Sequence, residues 1–177
     1  MYRKELIELF SYKLSRVDFI PESLPDTTLE VFAHYSRNQI LASFGYSNPG
    51  SMQEGVKYFS EQNTDVLFVT LDKSEKKFSP STMYKDYAIS PEYFHWESQN
   101  STSPETPVGK RYISGSSRVL LFVREKKEDQ WGTMPYTFLG PVTYSSHKGS
   151  KPMAIVWKME YRIPARFIGD LTRGVAI

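Results

Sequence analysis

Apolar and polar residues follow two rhythms along this chain, and the change from one to the other predicts where helices give way to strands. Near the N-terminus Leu6, Ile7, Leu9, Phe10 and Leu14 recur at helical spacing, with Glu5, Glu8 and Lys13 on the other side, which predicts an amphipathic helix. From Ile20-Pro21 to Leu24-Pro25-Asp26 a loop is expected, because each proline pushes its predecessor out of the α region. A second, short helix is signalled by Ser36 as N-cap, Gln39 as its capping-box partner and Gly45 as the stop.

Beyond residue 60 the pattern becomes that of strands. Val66 to Leu71 is an unbroken apolar run of β-branched and aromatic residues, the mark of a buried strand, and Arg118 to Arg124 is the strongest run of this kind. Tyr87 to Ser90 and Tyr93 to Trp96 read as short strands broken at Pro91, a residue confined to edges and turns. Arg111-Tyr112-Ile113 reads as extended, and Tyr136 to Tyr144 as a strand interrupted at Gly140-Pro141 by a bulge that would curl the sheet. Ala154 to Tyr161 alternates strictly, with Ile155, Trp157, Met159 and Tyr161 on one face and Lys158 and Glu160 on the other. The segment from Tyr46 to Gln53 is turn-rich, while the mixed charges of Asp72 to Lys77 and Glu125 to Asp129 mark solvated stretches, the second a hairpin tip.

Kinked strands with two helices predict an α+β, β-rich fold: a partly closed antiparallel pseudobarrel with two flanking helices. Residues 1–25 would be an N-terminal helix and linker, and residues 26–177 a single barrel-like domain.

Composition narrows the functional classes. An apolar content of 40% and an aromatic share of 15% suffice for a core, while 22 Lys+Arg against 20 Asp+Glu gives a net charge of only +2. That balance argues against an indiscriminate polyanion binder, so any basic surface must be local. The absence of cysteine removes disulfides, thiolate catalysis, zinc fingers and iron–sulfur ligation, and points to the cytoplasm. Met1-Tyr2-Arg3-Lys4 leads into an amphipathic run, so neither a signal peptide nor a membrane span is expected. The sequon Asn100-Ser101-Thr102 carries no weight without a secretory signal.

Catalytic motifs are lacking. His34, His95 and His147 are far apart with no carboxylate at ligand spacing, so no metal or other cofactor is expected. Gly45 to Gly50 has the wrong spacing for a nucleophile elbow, and Gly109-Lys110-Arg111 lacks the rest of a phosphate loop. The expectation is a protein that is not an enzyme.

The chemistry that core packing does not require gathers between Phe94 and Tyr112. Gln99 and Asn100 can pair bidentately with a base edge, Lys110 and Arg111 can take a guanine edge or phosphates, and Ser98, Thr102 and Ser103 can position a backbone. His95, Trp96 and Tyr112 could stack on an exposed base, worth about 1–3 kcal/mol each. Arg37, beside His34 and Tyr35 at a helix start, and Lys148 and Lys151 in the Ser145 to Pro152 connection could anchor phosphates. Each feature also has a bland reading. Trp96 can be core, Asn and Ser can build turns, Ser36-Arg37 can be only a cap, and Lys148 and Lys151 can belong to a solvated connection.

The ordered blocks His34-Tyr35-Ser36-Arg37 with Ile40-Leu41, Asn63 to Leu71 with Lys73-Ser74-Glu75, and Phe94-His95-Trp96 with Ser98-Gln99-Asn100 and Thr102-Ser103-Pro104 shift the balance. With Gly109, Arg111-Tyr112-Ile113, Leu121 to Glu125, Pro135 to Val142 and Ser146 to Pro152, they resemble an uncharacterised bacterial domain found at the C-terminal end of DEAD/DEAH-type restriction helicases. The likeness covers roughly residues 30 to 165. In that family the domain accompanies phospholipase-D-like or HNH nucleases, so the resemblance implies a DNA-recognition part of a restriction or defence system. Its partners would be duplex DNA, plain or base-modified, and the helicase and nuclease modules of the same system. By analogy with other restriction readers it implies a PUA/SRA-like or B3-like barrel. The expected function is a non-catalytic DNA reader. The alternatives are a module docking on a helicase or nuclease, and a metal-dependent nuclease using His95, Glu97 and His147.

Overall fold

The capping pair read from the sequence forms as expected. The Gln39 N–H donates to Ser36 Oγ at 3.3 Å and the Ser36 N–H donates to Gln39 Oε1 at 2.8 Å, so two backbone donors at the helix start are satisfied reciprocally. The computed structural model describes residues 2–14, 22–48, 52, 55–71 and 86–171. In chain order its elements are α1 (Tyr2–Leu14), β1 (Glu22–Ser23), β2 (Glu30–Val31), β3 (His34–Tyr35), α2 (Arg37–Ser43), β4 (Val56–Phe59) and β5 (Thr64–Thr70). There follow β6 (Tyr87–Ser90), β7 (Tyr93–Glu97), α3 (Pro107–Ser114), β8 (Arg118–Arg124), β9 (Glu128–Asp129), β10 (Gly132–Thr133), β11 (Tyr136–Lys148), β12 (Ala154–Met159) and α4 (Ala165–Leu171).

The main sheet runs β4-β5-β8-β11-β12-β7-β6, with β3 joined to the start of β11. The α+β, β-rich class is as expected, but two details differ. The β5 and β8 strands are parallel from Thr64↔Arg118 to Thr70↔Arg124, and the described strands leave β4 and β6 as edges without closing a barrel. The parallel pair arises because the chain leaves β5, builds the β6–β7 hairpin at the far edge, and returns through α3 to the middle of the sheet. Val66 to Val69 and Val119 to Val123 are buried throughout, the unbroken apolar pattern that parallel strands covered on both faces require.

The expected interruption of β11 is present as a register shift between Phe138 and Gly140, with a second between Tyr144 and Ser146. Gly140 takes φ +95°, and a Cβ there would meet Tyr161 Cδ2 at 3.0 Å and Val31 Cγ1 at 3.3 Å, so both conformation and space call for glycine. The bend lets the first part of β11 pair with β3 and the last part with β12. Along β12, Ile155, Trp157 and Met159 are buried while Lys158 and Glu160 face solvent, as the alternation predicts; Tyr161 is half-buried.

Arg111-Tyr112-Ile113 corrects the reading of an extended segment: it lies inside α3. The helix is started by Thr106, whose Oγ1 accepts from the Gly109 N–H at 3.2 Å, with Pro107 in its first turn, and is ended by Gly115 at φ 61°. The loop expected over residues 20–26 holds strand β1, paired to β2, among the described residues. Helix α1 exists, but Leu6, Ile7, Leu9 and Phe10 on it are all exposed, and the Leu14 side chain lies outside the described residues. The charged run from Asp72 to Lys77 also lies outside them. No described helix is long and apolar enough to cross a membrane.

Candidate functional site

After β7 the chain is stitched to the β11–β12 connection. The Ser98 N–H donates to Met153 O at 2.9 Å, and Ser98 Oγ accepts from the Met153 N–H at 2.9 Å and donates to Gln99 O at 3.2 Å. The Lys151 N–H donates to Thr102 O at 3.0 Å, and the Thr106 hydroxyl donates to Ser103 O at 2.7 Å. Helix α3 is pressed onto this segment: a Cβ on Gly109 would collide with the backbone carbonyl of Ser103. Ser98, Thr102 and Ser103 are buried, and the Ser98 hydroxyl braces this segment internally where a contact to a nucleic-acid backbone was expected. Gln99 and Asn100 lie on the outer side and are exposed. The segment is a ledge with its amides outward.

Cations gather at the same end of the sheet. The Glu105 carboxyl, fully solvated, is held below its ordinary range by the Ser103 hydroxyl and its own backbone, and in lesser part by the charges of Lys151 and Lys110; the backbone N–H groups of those two residues bond Thr102 O at 3.0 Å and Thr106 O at 2.9 Å. Lys148 ends β11 opposite Ala154, which in turn pairs with Glu97, the residue that leads into the ledge. Gln99, Asn100, Lys110, Lys148 and Lys151, taken from separate stretches of sequence, thus share one end of the sheet.

Other expected contacts lie elsewhere. Arg111 corrects the assignment of a phosphate ligand: its Nε and Nη2 donate to the two oxygens of fully buried Asp65 at 2.7 and 2.8 Å, and its guanidinium lies 3.9 Å from the Tyr58 ring centre. The hydrogen bond to Asp65 is the main reason its pKa is raised further. Trp96 and Tyr112 are buried and pack with Trp157 into one aromatic cluster, with Tyr112 and Trp157 centroids 5.5 Å apart, so neither offers a face to an external base. Burial, and secondarily the Asp65 charge, drive the Tyr112 phenol above its ordinary range against the opposing pull of Arg111. The Tyr112 hydroxyl and Trp157 Nε1 have no hydrogen-bond partner among the described residues. Half-buried His95 stacks on Tyr87 at 4.8 Å, His34 Nδ1 meets Thr137 Oγ1 at 3.1 Å, and His147 Nδ1 meets the Tyr144 hydroxyl at 2.6 Å. Among the described residues no group of three or more His, Cys, Asp or Glu could hold a metal ion.

Arg37 belongs to a feature that sequence reasoning missed, a cleft of about 790 Å³. Phe68 and Tyr136 meet edge to face in its lining, at 5.4 Å between centroids, with the Arg37 guanidinium over Phe68 at 4.3 Å and that of Arg124 over Tyr136 at 4.4 Å. Both cations are tethered: Arg37 Nη1 donates to Met52 O at 3.2 Å and Arg124 Nε to Thr70 Oγ1 at 3.0 Å. The acidic wall is Asp86 and Glu97, where Asp86 Oδ1 accepts from the Glu97 N–H at 2.8 Å. Gln99 lines the cleft as well as the ledge. The lining thus carries charges of both signs, with the Phe68 and Tyr136 rings buried beneath the two guanidinium groups. Among protein families, the chain matches over residues 29–171 one described as a domain of unknown function, DUF3427, and no curated protein matches it.

Proposed function

This chain belongs to the DUF3427 family, and from that premise we propose that it is a non-catalytic reader of duplex DNA, plain or base-modified, in a restriction or defence system. The observation that carries the reading is the position of Gln99, which belongs both to the lysine-flanked ledge and to the cleft. Lys110, Lys148 and Lys151 grip phosphates, Gln99 and Asn100 address a base edge, and the cleft receives a base turned out of the stack, at a cost of a few kcal/mol. The PUA/SRA-like or B3-like likeness is part of the same proposal, supported by the bend of β11 at Gly140-Pro141. Its partners are the helicase and nuclease modules of that system.

The test is equilibrium binding to plain, methylated, hydroxymethylated and phosphorothioate duplexes across a salt series. Affinity should fall with salt, and alanine at Lys110, Lys148 or Lys151 should each lower the slope of log K on log salt by about one. Absent binding, or affinity indifferent to salt, would refute the reading. A second reading, a docking module for the helicase of the system, is favoured by the exposed apolar residues of α1. Charged substitutions at Leu6 and Phe10 that abolish helicase association and leave DNA affinity unchanged would support it.

A further inference from the structure

Two residues three apart on a regular strand face opposite ways, yet Tyr144 and His147 on β11 share a face. The cause is the register shift between Tyr144 and Ser146. The extra residue there sets Tyr144 opposite Trp157 and His147 opposite Ile155, both of which turn inward from β12. The two side chains therefore meet, with His147 Nδ1 2.6 Å from the Tyr144 hydroxyl. A phenol can donate to an imidazole nitrogen or accept from an imidazole N–H, so this bond holds the ring in its neutral and its charged state alike. Among the described residues Nε2 is neither buried nor hydrogen-bonded, and it faces solvent from the half-buried ring.

The ring stands at the basic end of the sheet. Lys148 follows it and ends β11, and Lys151, in the connection to β12, donates its backbone N–H to Thr102 O on the ledge at 3.0 Å. Helix α3 covers the face that His147 occupies, because its Tyr112 packs on Trp96 and Trp157, and it brings the exposed Lys110. Against these three lysines stand two carboxylates. Glu105 is exposed ahead of α3, and Glu97, paired with Ala154, lies on the opposite face from Trp96 and Ile155; Arg111 is committed to Asp65. His147 is the one imidazole among these groups, and the imidazole is the side chain whose charge changes between about pH 5 and 8. Resting on the DNA-reader reading, we propose that His147, aimed by Tyr144, is a further phosphate contact at this end, one that strengthens on protonation. In the imidazolium, Nδ1–H donates to the phenol oxygen and Nε2–H is left to donate to a phosphate oxygen, with a full charge behind the hydrogen bond.

The experiment titrates the full chain with a plain duplex over a salt series at about pH 5.5 and again at about pH 8. For the native protein the slope of log K on log salt should be steeper by about one at the lower pH, where one more phosphate is neutralised. His147→Ala should bind more weakly than the native protein at the lower pH and show the same slope at both. Tyr144→Phe, which takes the anchor from the ring, should steepen less than the native protein; full steepening would overturn its positioning role. A measurement on the native protein depends on no variant: the ring resonance of His147 should move when duplex is added at the lower pH. A native slope indifferent to pH, a His147→Ala protein that steepens as the native one does, or a ring resonance that stays in place would each overturn the contact, while salt-dependent affinity at either pH leaves the reader standing. If the native protein binds no duplex at any pH or salt concentration, the reader reading falls and this contact with it.

Discussion

Replacing Arg111 by alanine should cost stability and leave recognition of DNA intact. The Asp65 side chain is fully buried, and its carboxylate accepts two hydrogen bonds from Arg111, at 2.7 and 2.8 Å, and one from Ser117 Oγ at 2.6 Å. Removing the guanidinium leaves that carboxylate with one neutral partner in a low-dielectric interior. Breaking such a pair from one side costs about 3–5 kcal/mol, a large part of a total stability of about 5–15 kcal/mol. At about 2–4 °C per kcal/mol for a chain of this size, Tm should fall by about 6–20 °C. Asp65→Ala should cost less than Arg111→Ala, because Arg111 is 17% exposed and can turn to water. Arg111→Lys should recover only part of the loss, since an ammonium cannot supply the paired geometry. Urea unfolding followed by circular dichroism measures the stability, and duplex titration well below the variant's Tm measures recognition. An Arg111→Ala protein destabilised by less than about 1 kcal/mol but unable to bind duplex DNA would show the guanidinium to be a phosphate contact after all.

Tyr112→Phe should be neutral or stabilising by urea unfolding, because the hydroxyl it removes is buried with no partner among the described residues. The same phenol makes stability depend on alkaline pH. Its folded pKa lies above the unfolded value of 10.0, so its contribution is complete below about pH 10 and is lost as pH rises toward the folded pKa; Tyr112→Phe should flatten that limb of the stability profile. Gly109→Ala should destabilise by about 1–3 kcal/mol or more and release α3 from the ledge, since its Cβ meets a backbone carbonyl rather than a side chain that can move; wild-type hydrogen exchange at Gln99 to Thr102 in the variant would contradict this. Gln99→Ala should reduce discrimination between base-modified and plain duplexes by about 1–3 kcal/mol without changing the salt slope, as competition binding would report; a changed slope with unchanged discrimination would move Gln99 to the phosphate class.

Much of this fold was legible where one physical signal had no competitor. The capping box at Ser36 and Gln39, the buried runs of β5 and β8, and the inward face of β12 all follow from local rules. Helix α3 was misread because Tyr112 and Ile113 favour strands, although Thr106-Pro107 and Gly115 bracket a helix; capping chemistry outweighed side-chain propensity. The parallel pairing could not be read, because an apolar run names no partner, and Thr70 and Arg124, paired across the two strands, stand 54 residues apart. At the candidate site, the outward amides of Gln99 and Asn100 are legible in the sequence, whereas Trp96 has both a stacking and a core reading there and is core in the structure. Its spacing of two from Phe94 placed both on one face, and Phe94 is fully buried. The cleft draws Arg37, Phe68, Gln99, Arg124 and Tyr136 from distant segments, a convergence that no local pattern encodes.

The central parallel joint also dictates an order of events during translation. The β4–β5 hairpin is made before β8, and one side of β5 stays without its backbone partner until residues 118–124 have been made. In the interval an apolar strand edge is open to pairing with any neighbouring chain. A nascent or truncated polypeptide stopping short of Arg118 should therefore aggregate or be held by chaperones, and the β4–β5 hairpin depends for its solubility on the arrival of β8.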